Sequence, residues 1–112
     1  MKKLEIIVRI GMLERLRDEL AKNNIFGMNY TDIRGYGRQK GHTEVYRGNT
    51  MQVDFVPKVK IEIVLNDEKV EEVINTIVST CRTGKVGDGK IFVYNVEDCI
   101  RIRTGERGAD AL

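Results

Sequence analysis

PKVKIEIVLNDEKVEEVINTIVSTC, residues 57–81, changes its hydrophobic period once, and that change decides the fold class. Val59, Ile61, Ile63 and Leu65 alternate with Lys58, Lys60 and Glu62, the period of a strand with one buried face. Pro57 stands at the first strand position, where its missing N–H removes no ladder bond. Asn66-Asp67-Glu68 then predicts a helix start, a capping side chain followed by acids in the first turn. Val70, Val73, Ile74, Ile77, Val78 and Cys81 follow at helical spacing, the buried stripe of an amphipathic helix.

The same strand-then-helix order opens the chain. Leu4, Ile6, Val8 and Ile10 alternate with Glu5, Ile7 and Arg9 until Gly11 interrupts them. Leu13, Leu16 and Leu20 recur at helical spacing among charged residues, and Asn23-Asn24 with Gly27 ends that helix. Residues 28–36 read as a second strand and 91–96 as a fourth. Ile100 and Ile102 alternate with Arg101 and Arg103, which predicts an extended segment with two guanidinium groups side by side. Residues 37–54 show neither period and read as a long structureless loop, a length that points to a binding role. The order strand–helix–strand, long loop, strand–helix–strand predicts an α+β, ferredoxin-like split βαβ fold. Its four-stranded antiparallel sheet would carry both helices on one face. Ile7, Val64, Phe92, Tyr94 and Val96 make the open face apolar, so it is expected to pack against other copies of the chain.

The 112 residues make one domain, and the formal net charge of +2 gives no bulk drive toward nucleic acid or a membrane surface. No apolar run approaches a membrane span, and Glu5 interrupts the only candidate leader segment. Cys81 and Cys99 read as reduced and structural, consistent with a cytoplasmic protein. With one histidine and no cysteine cluster, a structural zinc site has nothing to be built from. His42 has only Glu44 as a local acidic partner, so no general base or nucleophile pair is named, and the chain reads as a non-enzyme.

Glycine is the unusual component: eleven residues against one proline. Most fall in 35–48, 84–89 and 105–108, each beside cations. Gly84-Lys85-Val86-Gly87-Asp88-Gly89-Lys90 fits the first part of a phosphate-binding loop. However, Ile91 replaces the magnesium-binding hydroxyl, and a strand rather than a helix follows. Gly35-Tyr36-Gly37-Arg38-Gln39-Lys40-Gly41 has its third glycine one place late for a dinucleotide fingerprint. A polyphosphate site nonetheless explains three separate glycine-plus-cation segments jointly.

These residues are similar to those of a known family. Residues 37–48 (GRQKGHTEVYRG), 54–62 (DFVPKVKIE), 83–93 (TGKVGDGKIFV) and 100–108 (IRIRTGERG) resemble the P-II nitrogen signal-transduction proteins across essentially the whole chain. The resemblance implies a homotrimer with nucleotide clefts between subunits, a partner-binding loop at about 37–54, a nucleotide loop at 82–90 and a tail at 104–112. It implies ATP or ADP held by Gly87, Asp88, Gly89, Lys90, Arg101, Arg103 and Arg38, with Asn29, Gly35, Gly37 and Val64 lining the cleft. It implies a magnesium ion on Gln39, and 2-oxoglutarate near Gln39, Lys40, Gly41, Lys58 and Gly87. Targets of the family include ammonium transporters, glutamine synthetase control and nitrogen-regulatory kinases, so a membrane would be met only through a transporter.

The loop residues Tyr46, Arg47, Gly48 and Met51 would face such partners. Met51 stands where uridylylated members carry tyrosine, and Asn49 where phosphorylated members carry serine, so neither modification is expected there. Ile10-Gly11 replaces a proline–aromatic pair, and Asn29 a hydroxyl residue. A nucleotide-indifferent adaptor, a regulator of nitrogenase and a very weak ATPase using the same cleft are the alternative readings.

Overall fold

The first strand, β1 (Lys2–Arg9), buries every second residue: Leu4, Ile6 and Val8 point into the core, and their neighbours point away from it. The computed structural model describes residues 1–37, 43–46, 49–52 and 55–112. A single 3₁₀ turn, Ile10–Met12, takes up Gly11 and leads into α1 (Leu13–Lys22), which buries Leu16 and Leu20. Asn24 closes that helix in the left-handed region at φ 61°, one of the few places where a non-glycine residue tolerates it. Strand β2 (Met28–Gly35) follows.

Strand β5 (Val56–Leu65) and α2 (Asp67–Cys81) realise the change of period in residues 57–81. Val59, Ile61, Ile63 and Leu65 are buried from the strand, and Val70, Val73, Ile77 and Cys81 from the helix. Asn66 occupies the N-cap position with extended backbone, but its side chain makes no capping hydrogen bond. The cap is instead a backbone one, Lys69 N–H donating to the Asn66 carbonyl at 3.0 Å, while Asp67 pairs with the amino group of Met1 at 3.0 Å. Strand β6 (Lys90–Asn95) completes a four-stranded antiparallel sheet of order β2-β5-β1-β6. The two central strands are the two with full alternation, since only they are flanked on both edges. In register, Ile6 lies opposite both Ile61 and Ile91, and Leu4 opposite Ile63. These residues and the helix stripes form one core cluster, each large side chain contributing roughly 1.5–3 kcal/mol by burial.

Three further expectations need correction. Residues 37–54 are not structureless throughout: β3 (Thr43–Tyr46) and β4 (Asn49–Gln52) pair antiparallel as a separate two-stranded sheet. Thr43–Tyr46 and Asn49–Gln52 pair through their backbones, and their sequence carries no two-residue apolar period that would have marked them. Arg101 and Arg103 do not lie on an extended strand. Residues 102–104 form a turn, closed by Gly105 N–H donating to Arg101 O at 2.7 Å and by an isolated bridge between Ile100 and Arg107. Ile102 is 98% exposed, which explains why its apparent alternation had no strand behind it.

The open sheet face is also mixed rather than apolar. Lys3 pairs with Glu62 at 3.2 Å and sits 5.0 Å from the centre of the Tyr94 ring, and Tyr94 Oη donates to Glu5 at 3.4 Å. Phe92 and Tyr94 remain exposed among these charges, and Ile7 and Val64 are half-buried.

Candidate functional site

Helix α2 stops at Cys81 because Arg82 turns extended, and the chain then folds into the glycine loop 82–90 around a single carboxylate. Asp88 accepts hydrogen bonds from the Thr83 N–H at 2.7 Å, the Gly84 N–H at 2.9 Å and the Thr83 hydroxyl. Arg9, at the end of β1, donates to the same carboxylate at 2.6 Å and to the Val86 carbonyl at 3.0 Å. Lys58, on β5 and buried, donates to the Gly87 carbonyl at 2.9 Å. The Thr83 hydroxyl first, then Arg9 and the Thr83 N–H, hold the Asp88 carboxyl far below the usual carboxylate range. Burial lowers the Lys58 pKa, the nearby Arg9 charge lowers it further, and Asp88 partly opposes both.

Beside this loop lies a cleft of about 670 Å³ on the open face of the sheet. Gly35 and Gly37 from the end of β2, Lys58 from β5, and Gly87, Gly89 and Lys90 from the loop line it together. Ile7, Tyr36, Val86 and Phe92 supply its apolar walls. Tyr36 also packs against Phe55, ring centres 5.6 Å apart, so both sides of the 38–54 segment meet at the cleft rim. Gly89 fits the sheet so closely that a Cβ there would fall 1.8 Å from the Ile7 carbonyl oxygen. The cleft therefore combines primary-amine cations, close-approach backbone and aromatic surface, the chemistry that holds an anion attached to a flat ring. A smaller cavity of about 340 Å³ lies between Ile77, Cys81 and Ile91 on the other side of the loop. Burial pushes the Cys81 thiol up, which suits a packing residue and not a nucleophile.

The residues singled out from the sequence divide into five groups. Gly35, Gly37, Lys58, Gly87, Gly89 and Lys90 converge on the cleft. Asp88 is next to them, but its carboxylate is engaged by its own loop and by Arg9. Asn29 and Val64 lie toward the other end of the sheet: Asn29 pairs with Glu62 and Val64 with Lys3, whereas Lys58 pairs with Arg9. Val64 lies six residues along the strand from Lys58, roughly 20 Å at the usual rise.

The tail leaves β6 at that same far end, where Val96 N–H donates to the Met1 carbonyl. Within it, Arg101 is held by Glu106 at 3.0 Å and by the Leu112 carbonyl at 3.1 Å, while Arg103 is exposed. Arg38, Gln39, Lys40, Gly41, His42, Arg47 and Gly48 lie outside the described residues, as do the side chains of Tyr46, Asn49 and Met51. Arg9, Tyr36 and Phe92 were not singled out for the site. The parity of β1 could have placed Arg9 on the open face, but nothing local marked it as a partner of a loop some eighty residues away.

Comparison with known proteins gives a consistent result. The family profile described as "Nitrogen regulatory protein P-II" matches residues 1–106. The chain is 56% identical over its full 112 residues, and the full relative, to a "Nitrogen regulatory protein P-II" of Pasteurella multocida. It is 54% identical to the protein of that name in Haemophilus influenzae and 53% to "Nitrogen regulatory protein P-II 1" of Escherichia coli, again over both complete chains.

Proposed function

The chain belongs to the nitrogen regulatory protein P-II family, and on that premise we propose that it is an allosteric sensor of ATP, ADP and 2-oxoglutarate. Its relatives are named as regulatory proteins, and its role is that of a regulator in nitrogen-metabolism signalling. No helix among the described residues is long and apolar enough to cross a membrane. The observation that supports nucleotide sensing is the convergence of four glycines, Lys58 and Lys90 on one cleft with aromatic walls. A polyphosphate calls for cations and approachable backbone together, and an adenine ring calls for flat apolar surface.

The separation of Asn29 and Val64 from Lys58 favours a shared site. In a shared site a second copy would bring its Asn29 and Val64 ends to the glycine loop. Closing that arrangement with a three-fold axis gives the homotrimer, and it would cover Phe92 and Tyr94. Among the described residues no three His, Cys, Asp or Glu side chains converge on a metal position. The phosphates themselves and the Gln39 amide would then hold magnesium, which supplies positive charge between nucleotide and oxoacid. Lys58, with the backbone of Lys40, Gly41 and Gly87, would receive the 2-oxoglutarate carboxylates.

Signal output follows from chain connectivity. Gly35-Tyr36-Gly37 forms both a wall of the cleft and the base of the 37–54 loop. Ligands that favour different positions of that wall would bias the loop, each by its differential affinity for the alternatives. The loop, with Arg47 near its tip, would engage an ammonium transporter or an enzyme or kinase of nitrogen control. Titration calorimetry tests the reading: ATP and ADP should each bind, and 2-oxoglutarate only with Mg-ATP present. Gln39→Ala should lose 2-oxoglutarate while retaining ADP. A wild-type protein that binds neither nucleotide would overturn the reading.

A further inference from the structure

Two cations outside the loop 82–90 hold two of its carbonyls. The Val86 carbonyl is bonded to Arg9 and the Gly87 carbonyl to Lys58, at 3.0 and 2.9 Å. In a trans peptide the N–H points opposite to the C=O, so the Gly87 and Asp88 amides are turned away from these two cations. Arg9 differs from Lys58 in engaging the loop twice. Its planar fork takes the Asp88 carboxylate with one nitrogen and the Val86 carbonyl with the other. That carboxylate in turn collects the N–H groups of Thr83 and Gly84 and the Thr83 hydroxyl.

We infer that Arg9 is a positioning residue for the nucleotide site: through Asp88 and the Val86 carbonyl it clasps the 82–90 loop in its binding conformation. In this arrangement the Asp88 side chain serves the loop and not the ligand. The inference deepens the nucleotide reading and rests on it. Lys58 would not replace the clasp, since its ammonium is directed to the next carbonyl along. A lysine at position 9 would reach one of the two acceptors but lacks the fork to hold both. Because the bond from Arg9 to Asp88 joins a strand to a loop distant in sequence, its loss would release the loop without removing any buried apolar contact of the core.

The test compares Arg9→Met, which keeps most of the apolar stem, with Arg9→Lys, Asp88→Asn and the Arg9→Met/Asp88→Asn double variant. ADP affinity is read by calorimetry, amide exchange of residues 83–84 is read without nucleotide, and the thermal midpoint is followed in each variant. A lost charge-assisted contact of this kind corresponds to about a tenfold to hundredfold change. The clasp predicts that Arg9→Met weakens ADP binding by about tenfold or more. It also predicts faster exchange at Thr83 and Gly84, partial recovery in Arg9→Lys, and a double variant no worse than the weaker single one. Unchanged exchange at 83–84 in Arg9→Met, or ADP affinity equal to wild type, would overturn it. Single effects that multiply in the double variant would also overturn it, because they would mean that Arg9 meets the nucleotide independently of Asp88. Exchange is measured without ligand, so wild-type failure to bind ADP would count against the nucleotide reading while leaving the clasp itself measured.

Discussion

Replacing Gly89 by alanine would place a methyl carbon 1.8 Å from the Ile7 carbonyl oxygen, 2.9 Å from its carbonyl carbon and 3.2 Å from Val8 Cα. All three are backbone atoms of a central strand, so no side-chain rotation relieves the contact. Gly89 also sits at φ +108°, a region that costs a residue with a Cβ about 1–3 kcal/mol. Overpacking adds about 1–3 kcal/mol more, so the total loss is about 2–6 kcal/mol. At about 4 °C per kcal/mol for a domain of this size, the thermal midpoint should fall by about 8–24 °C.

Two other glycines separate the causes. Gly84 has φ +84° but nothing within 4 Å of a Cβ, so Gly84→Ala should cost only the backbone share, about 1–2 kcal/mol. Gly11 has open space and no such φ, so Gly11→Ala should be neutral or stabilising by up to about 1 kcal/mol. Circular dichroism melts and urea titrations at one fixed protein concentration measure all three. A Gly89→Ala variant as stable as Gly84→Ala would refute the steric argument, and one as stable as Gly11→Ala would refute both parts.

Acid should destabilise the protein through Asp88 and Asp98, whose carboxyls are held below their ordinary value of 3.8, Asp98 chiefly by Arg107. A depressed folded-state pKa contributes stability in full above the unfolded value, and that stability is lost as pH falls from about 4 through the folded pKa. Urea midpoints should therefore drop below about pH 4, and Asp88→Asn should make the drop shallower; an identical acid profile in the variant would contradict this. At the loop, wild-type protein incubated with UTP and a P-II uridylyltransferase should take no label at position 51. Met51→Tyr should become labelled, because a phenol supplies the nucleophile that a thioether lacks; label at position 51 of the wild type would refute the reading.

Residues 57–81 carried the fold in their periodicity because burial is a local geometric demand. A strand on a core face repeats every two residues and a helix every 3.6, wherever the rest of the chain lies. The same logic placed β1, α1 and α2 from their leucine, isoleucine and valine spacing. It failed at two places: β3 and β4 pair as a sheet of their own although their sequence carries no such period, and the Ile100–Arg103 alternation sits in an exposed turn. At the candidate site, the glycines and lysines of two segments were legible as clusters, since Gly-Lys runs are visible without knowing their neighbours.

Their meeting was not legible. Gly35, Lys58 and Gly87 come together only because β2 pairs with β5 and the loop after α2 returns beside β1. Likewise, only the assembled sheet put Arg9 against Asp88 and set Asn29 and Val64 toward the opposite end from Lys58. The amino-acid sequence by itself determined the two long helices, the four strands of the main sheet, their buried faces and the glycine and lysine content of the candidate site. Strand register and order, which are non-local, decided which cations share a cleft and which carboxylate is engaged within the loop.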